Sequence, residues 1–425
     1  MRVLIVTLFF PPTGGGGVQR PLKFATQLAD LGFETHVLAP DDSKWVERDD
    51  TVAPPPGLHV VRARNLGPAW RLLGSDLYGT HGLVRLGVQL RAVPRRVLVP
   101  DPSVLWSLTA VPAGLRLVAD LGIDVVLTTS PPPSVHLIGA ALKRLTGVPW
   151  VADLRDSIVF NPHRRFDVRG ERALARVVAR YADATVAASH GIGAELDDLH
   201  AKAPVSVIET GCDFEAFDGL PYRRGDRLRI THTGNFLGRR DPRPFCEALS
   251  TFDPSDVVAR FAGTFRQRDR DYAAALELGP RLELIPFVSH AEALALQRDS
   301  DVLLLLVPEA AGRGGHVLTG KVFEYLAARR PILAAVPPGG EAARLIERTG
   351  AGTVVAADDV EGLTAVIRMF RDRWRDGALG DVAIAPELEA TLSTRAAAAR
   401  LAEVLEHVTR SRRQARHIRL RRSTA

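Results

Sequence analysis

Short apolar runs alternate with longer amphipathic stretches along most of the chain, and few folds accommodate that alternation. "RVLIVTLF" near the N-terminus is a continuous apolar run of strand length. Such a run belongs to a strand covered on both faces, as in a parallel sheet. Next, "VQRPLKFATQLADLG" sets Leu22, Ala25, Leu28, Ala29 and Leu31 at helical spacing, with Gly32 placed as a C-cap. "FETHVLAP" reads as a second strand and completes a βαβ unit. The pattern continues through "DVVLTTS", "SVHLIGAALKRLTG", "VPWVADLRD", "RGERALARVVARYA", "DATVAAS" and "PVSVIETG". Parallel pairing requires such helical crossovers. The stretch 55–120 fits this pattern poorly and reads as an insertion.

A polar, charged segment with Pro and Gly, "DGLPYRRGDRL", interrupts the alternation at 218–228, as a linker would. Beyond it the alternation restarts with "LRITHTGNF", "VVARFAGTF", "LELIPFV", "DVLLLLVP", "PILAAVP" and "GTVVAA". A chain of 425 residues also exceeds one ordinary hydrophobic core. The fold class expected is α/β, with two doubly wound parallel-sheet domains in tandem, 1–218 and 219–386. A C-terminal helix near 387–410 and a basic tail to 425 follow. Ligands of doubly wound sheets sit outside the carboxyl ends of the strands, so two such domains would face a shared cleft suited to two substrates.

An apolar fraction of 46% and a charged fraction of 24% are those of a globular protein with a large core. Cys212 and Cys246 are too few for a disulfide framework, which suits a reducing cytoplasm. "MRVLIVTLFFPP" lacks the features of a secretory signal. No apolar run approaches the roughly 18 residues of a spanning helix. The expectation is a cytoplasmic protein, soluble or peripheral at the inner face of the membrane. The net charge of +6 is unevenly spread. Arg62, Arg64, Arg71, Arg85, Arg91, Arg95 and Arg96 face one acid, Asp76, and the tail "RSRRQARHIRLRRSTA" is also basic. Such clusters attract phosphate-bearing partners such as nucleic acid, anionic lipid or anionic substrates; an arginine-rich solvated surface is the plainer reading. "LYGTHGLVRLGVQLRAVPRRVLVP" mixes apolar residues with arginines as a surface-lying membrane element does.

The candidate site residues cluster where strands end. "FFPPTGGGGVQR" follows the first strand; bare backbone at Gly15 and Gly16 before a helix N-terminus would border an anionic ligand. It matches neither dinucleotide-binding nor P-loop spacing, since Gln19 stands where a third glycine would. "VADLRDS" puts Asp153, Arg155 and Asp156 after an apolar strand. They could orient sugar hydroxyls or form an internal ion-pair network, and the sequence leaves both open. "TTSPPPSVH" adds Ser130 and His136 on a neighbouring turn. In the second half, "HTGNFLGRRDP" offers Gly234, Arg239 and Arg240 as phosphate partners. "GRGGHVLTGKVFEYLAARRPILAAV" runs a glycine-rich loop into a helix bearing Lys321, Glu324 and Tyr325. Glu324 could accept both ribose hydroxyls. Lys321 and the backbone at Thr319 and Gly320 could hold a diphosphate.

These five stretches, taken in chain order, resemble the bacterial family 4 glycosyltransferases, retaining enzymes of the GT-B fold, and within them the enzymes of capsule, exopolysaccharide and O-antigen assembly. The resemblance covers about 1–370 and is weakest over 55–120. It implies two Rossmann-like domains. The C-terminal one would bind a nucleotide-sugar donor as substrate, and the N-terminal one a glycan or lipid-linked acceptor. It implies no cofactor, no catalytic metal and no nucleic-acid partner. The C-terminal helix would cross back to the first domain. Carried over residue by residue, Glu324 matches the second of two family glutamates, and His316 stands where the first would fall, with Glu309 seven residues too early. Arg240 matches a phosphate-binding position; Asn235 occupies its partner's place. Arg155 or Asp156 lies where many members carry histidine. The roles implied are catalytic for Arg240, Lys321 and Asp156. Donor contacts fall to Gly15, Gly16, Gly234, Asn235, His316, Thr319, Gly320 and Glu324, and acceptor contacts to Asp153, Arg155, Ser130 and His136. A sugar-nucleotide epimerase of the same architecture, an inactive glycan-binding subunit, and a dinucleotide-dependent oxidoreductase reading a ribose through Asp41 remain alternatives.

Overall fold

The computed structural model describes the chain apart from residues 43–45, 47, 68–97, 159–167, 237–239, 310–313 and 424–425, and apart from the side chains of 168–169 and 415–423. Its contacts divide the chain into two compact units. Among the described residues, the first comprises 1–67, 98–210 and 394–423, and the second 211–393.

In the first unit β1 (Arg2–Thr7), β2 (Glu34–Pro40), β3 (His59–Ala63), β4 (Val125–Thr129), β5 (Trp150–Leu154), β6 (Ala184–Ala187) and β7 (Val205–Val207) form a parallel sheet. The order is β3-β2-β1-β4-β5-β6-β7. Helices α1 (Gln19–Asp30), α2 (Ser107–Leu121), α3 (Val135–Thr146), α4 (Val168–Tyr181) and α5 (His190–Asp198) lie between the strands in sequence. Successive residues of β1 serve opposite faces, as strand geometry requires. Val3 and Ile5 pack with Phe24 and Leu28 of α1 and with Leu401 and Leu405 of the C-terminal helix. Leu4 and Val6 pack with Trp106, Ile138 and Leu142 on the other side. That two-sided burial is why the strand is apolar throughout.

Three expectations need correction here. The first concerns 55–120, where β3 and α2 belong to the unit, while 68–97 lie outside the described residues. β3 is an edge strand, and its register sets Arg62 opposite Ala39. Its half-exposed residues and arginine hide it among buried strands. α2 carries Pro112 within it, which masks its helical signal. Second, together with the preceding 3-10 turn it gives a helical stretch Pro102–Leu121, mean hydropathy 1.4, long and apolar enough to cross a membrane, with 17% of the window buried. Third, the expected helix at 387–410 is two, Pro386–Leu392 and Thr394–Ser423. They are separated at Ser393, whose backbone is extended.

The second unit repeats the plan. β8 (Leu228–Thr233), β9 (Val257–Ala262), β10 (Leu282–Ile285), β11 (Val302–Leu306), β12 (Ile332–Ala335) and β13 (Gly352–Val355) pair in the order β10-β9-β8-β11-β12-β13. Between them in sequence lie α6 (Arg243–Ser250), α7 (Gln267–Ala275), α8 (His290–Arg298), α9 (Gly320–Ala327) and α10 (Glu341–Thr349), and α11 (Val360–Arg375) follows β13. Phe236 meets Phe261 and Phe265 at ring separations of 5.0 and 5.3 Å in its core. The linker candidate is held down: the Tyr222 hydroxyl donates to Asp301 at 2.6 Å, and buried Arg330 stacks 3.9 Å over the Tyr222 ring. Each sheet reverses its winding after its first three strands. The carboxyl ends of β1 and β4, and of β8 and β11, are therefore the open positions.

One close contact fixes α3 on its sheet. A Cβ added to Gly139 would lie 2.2 Å from Trp150 Nε1 and 2.7 Å from Thr128 Cγ2. Trp150 is tied down, since its Nε1–H donates to Thr128 Oγ1 at 2.8 Å. Gly139→Ala should therefore cost roughly 1–3 kcal/mol, seen as a lower melting temperature. Gly380→Ala, which meets nothing within 4 Å, should melt like the parent protein. Equal melting of all three would refute the contact.

Candidate functional site

At the open position of the first sheet, the glycine loop leaves β1 beside the end of β5. Arg155, the residue after β5, reaches across and donates to the carbonyls of Gly17 at 2.7 Å and Gly16 at 3.1 Å. Gly15 has φ +83°, a conformation that disfavours any residue with a Cβ. At Gly17 a Cβ would press on the Phe9 ring at 2.8 Å, whereas at Gly16 it would meet nothing within 4 Å. Two of these glycines thus answer to geometry, and Gly16 presents bare backbone to solvent.

Below the loop lies a buried ion pair. Arg20, in the first turn of α1, donates from Nη2 to Asp153 Oδ1 at 2.7 Å and from Nε to Oδ2 at 3.0 Å. Both side chains are wholly buried. The Ile208 carbonyl accepts from Arg20 at 2.9 Å, and Thr129 Oγ1 donates to Asp153 at 2.7 Å. The guanidinium sits 4.5 Å over the Phe24 ring. Asp153 is therefore not available to sugar hydroxyls: the network reading holds for it, with Arg20 as partner instead of Arg155. Ser130 is buried as well, and its N–H donates to the Asp153 carbonyl at 3.0 Å. His136 is fully buried, paired through Nδ1 with Thr128 Oγ1 at 2.8 Å. Burial pushes it down to about 4, so it stays neutral. It packs inward in the first turn of α3. Asp156 alone of this group is exposed.

In the second unit the sequence-predicted residues do converge. β8 ends at Thr233, and Gly234 follows with φ +130°. A Cβ on Gly234 would sit 2.2 Å from Lys321 Nζ, so glycine is what lets the ammonium approach the backbone. Lys321 lies in the first turn of α9 and makes no hydrogen bond or ion pair among the described residues. Burial, then the neighbouring Arg240, lowers it to about 8. Arg240 donates to the Asn235 carbonyl at 3.2 Å. Thr319 precedes α9, but its side chain does not cap the helix. Its Oγ1 is buried without a partner among the described residues. The first N–H groups of α9 thus lack a side-chain cap, and the positive end of the helix dipole adds to the two cations. Gly320 and His316 are exposed at its approach. Asn235 Oδ1 is occupied, accepting from the Thr264 N–H at 2.8 Å, so Asn235 shapes the loop. Arg239 lies outside the described residues, as does most of the arginine cluster of 62–96.

Glu324 stands one turn after Lys321 on α9. Its Oε2 accepts from Gln297 Nε2 at 3.0 Å, and the same amide donates to Thr233 Oγ1 at 2.8 Å. Thr233 N–H in turn donates to the Tyr325 hydroxyl at 3.1 Å. Sequence reasoning named neither Gln297 nor Arg20. Arg20 left one signal, a charge in the first turn of a helix whose neighbours are apolar. Gln297 left none.

Replacing Arg20 by Met strands a buried carboxylate, which should cost about 3–5 kcal/mol and lower the melting temperature. Adding Asp153→Leu should recover part of that loss. A double variant less stable than Arg20→Met would contradict the pair. Gly16→Ala should leave the melting temperature unchanged.

Comparison with known proteins agrees with the geometry. Residues 14–216 match the family model of Glycosyltransferase Family 4. No curated protein matches the sequence. Among solved structures, sucrose-phosphate synthase from Thermosynechococcus elongatus aligns with TM-score 0.68 at 14% identity, over 97% of this chain and 100% of its own. Anabaena HepE in complex with UDP-glucose aligns with TM-score 0.64 at 15% identity, over 96% and 100%. The UDP-GlcNAc 2-epimerase of Methanocaldococcus jannaschii aligns with TM-score 0.53 at 12% identity, over 96% and 100%. The chain thus has the GT-B fold of two Rossmann-like units, and its residues 14–216 are similar to the Glycosyltransferase Family 4.

Proposed function

We propose that the protein is a glycosyltransferase that takes a sugar from a nucleoside-diphosphate donor, with retention, and passes it to a glycan or lipid-linked glycan in cell-surface polysaccharide synthesis. One observation carries the donor half: the Lys321 ammonium, against Gly234 and beside Arg240, has among the described residues no counter-ion other than Glu324 one turn away. Such a site fits a diphosphate. The HepE neighbour, in complex with UDP-glucose, supports a nucleotide-sugar there. Glu324 Oε1, without a partner among the described residues, is free to accept from the ribose.

As the bond from sugar C1 to the diphosphate oxygen breaks, negative charge grows on the leaving oxygens. Lys321, Arg240 and the first N–H groups of α9 stabilise it in place, without reorganising. The acceptor hydroxyl forms the new bond to C1, and its proton passes to the departing phosphate oxygen. No separate base is then required. On the acceptor side, exposed Asp156 and the backbone at Gly16 are the available groups. Leu108, 65% exposed on the apolar helix α2, together with the arginines of 62–96 supports a membrane-bound acceptor.

Lys321→Met should lower nucleoside-diphosphate release from the donor by about 100-fold or more while leaving the melting temperature within a degree or two. Turnover near that of the parent would remove Lys321 from the site. Because Lys321 must be protonated to hold phosphate, nucleotide affinity should be full below pH 8 and fall as pH rises through about 8. The Lys321→Met protein should show a flat profile there. Consumption of donor only with acceptor separates transfer from epimerisation, the chemistry of the Methanocaldococcus neighbour. Flotation with anionic liposomes tests the membrane half; failure to float would remove it.

A further inference from the structure

Gln297 is wholly buried on α8. Its Nε2 group donates twice, to Thr233 Oγ1 at 2.8 Å and to Glu324 Oε2 at 3.0 Å. That fixes which way the amide faces, since the opposite orientation would set a carbonyl oxygen against a carboxylate. The consequence is that Gln297 Oε1 is buried with no partner among the described residues. A buried orphan acceptor destabilises the fold, so stability alone does not account for it. Packing alone is met by leucine at comparable volume.

We infer that Gln297 is a positioning residue for nucleotide recognition: its amide turns the Glu324 carboxylate so that Oε1 faces the ribose hydroxyls. The inference rests on the reading of Glu324 as the ribose ligand. Gln297 itself touches no substrate. It ties the helix that carries Glu324 to Thr233, the residue before Gly234, so the ribose contact and the phosphate contact keep a fixed spacing. Tyr325, whose hydroxyl accepts from Thr233 N–H at 3.1 Å, completes the same brace from the other side.

The test compares UDP and GDP with their 2′,3′-dideoxy forms by titration calorimetry on the full chain. A charge-assisted hydrogen bond to ribose should make the parent protein prefer the ribonucleotide by about tenfold or more. In Gln297→Leu that preference should fall below about threefold, while affinity for the dideoxy form stays nearly constant. A merely structural role would weaken both ligands together and leave their ratio unchanged. If Gln297→Leu does not fold, Gln297→Glu serves instead. Two facing carboxyl groups share one proton, so its preference should be present near pH 5 and disappear as pH rises. A parent protein that binds both forms equally overturns the ribose reading of Glu324. A parent that discriminates, with variants that discriminate as well, overturns only the role of Gln297.

Discussion

A cation drawn out of bulk water without a full counter-charge is costly, and the second unit is organised around one. Lys321 rests against the backbone of Gly234, with Arg240 as neighbour and a single carboxylate a turn away. The surroundings make the cost bearable. His232, one residue before Thr233, is fully buried and is lowered to about 3 by burial, Lys321 and Arg240, so it adds no third charge. The Tyr325 hydroxyl, raised to about 12 chiefly by burial, stays protonated. What remains is a fixed positive site at the reversal point of the sheet, set at the start of a helix. An anion placed there would relieve the repulsion.

The first unit handles charge in the opposite manner. Arg20 and Asp153 neutralise each other at zero exposure, and Arg155 spends two donors on the glycine loop. Among the described residues, its end of the sheet offers backbone and an exposed Asp156. A neutral, hydroxyl-rich ligand suits that surface better than a phosphate does. The two units thus share a winding but differ in how the described side chains balance charge at the open ends of their sheets.

Much of this was legible in the sequence because it is local. The buried strands announce themselves as unbroken apolar runs, since both faces of each sheet are covered. The convergence of Gly234, Lys321 and Glu324 follows from two strand-to-helix turns that the topology places side by side. What the sequence hid depends on pairing across distance. Asp153 looked like a sugar ligand because it ends a strand, but its partner lies 133 positions away. His136 sits after a strand and a proline run, as a site histidine would, yet the first turn of α3 packs inward and buries it. β3 carries arginine among its apolar residues because it lies at the edge. Gln297 is one polar residue in an unremarkable helix, and only the fold shows what its amide holds.

The central claim is that the second unit holds a nucleoside diphosphate. The most direct measurement is titration calorimetry of the full chain with UDP, GDP, dTDP, ADP and NAD. The expected result is one tight site per chain for one of the nucleoside diphosphates and none for NAD. Absence of binding for every nucleoside diphosphate would contradict the claim.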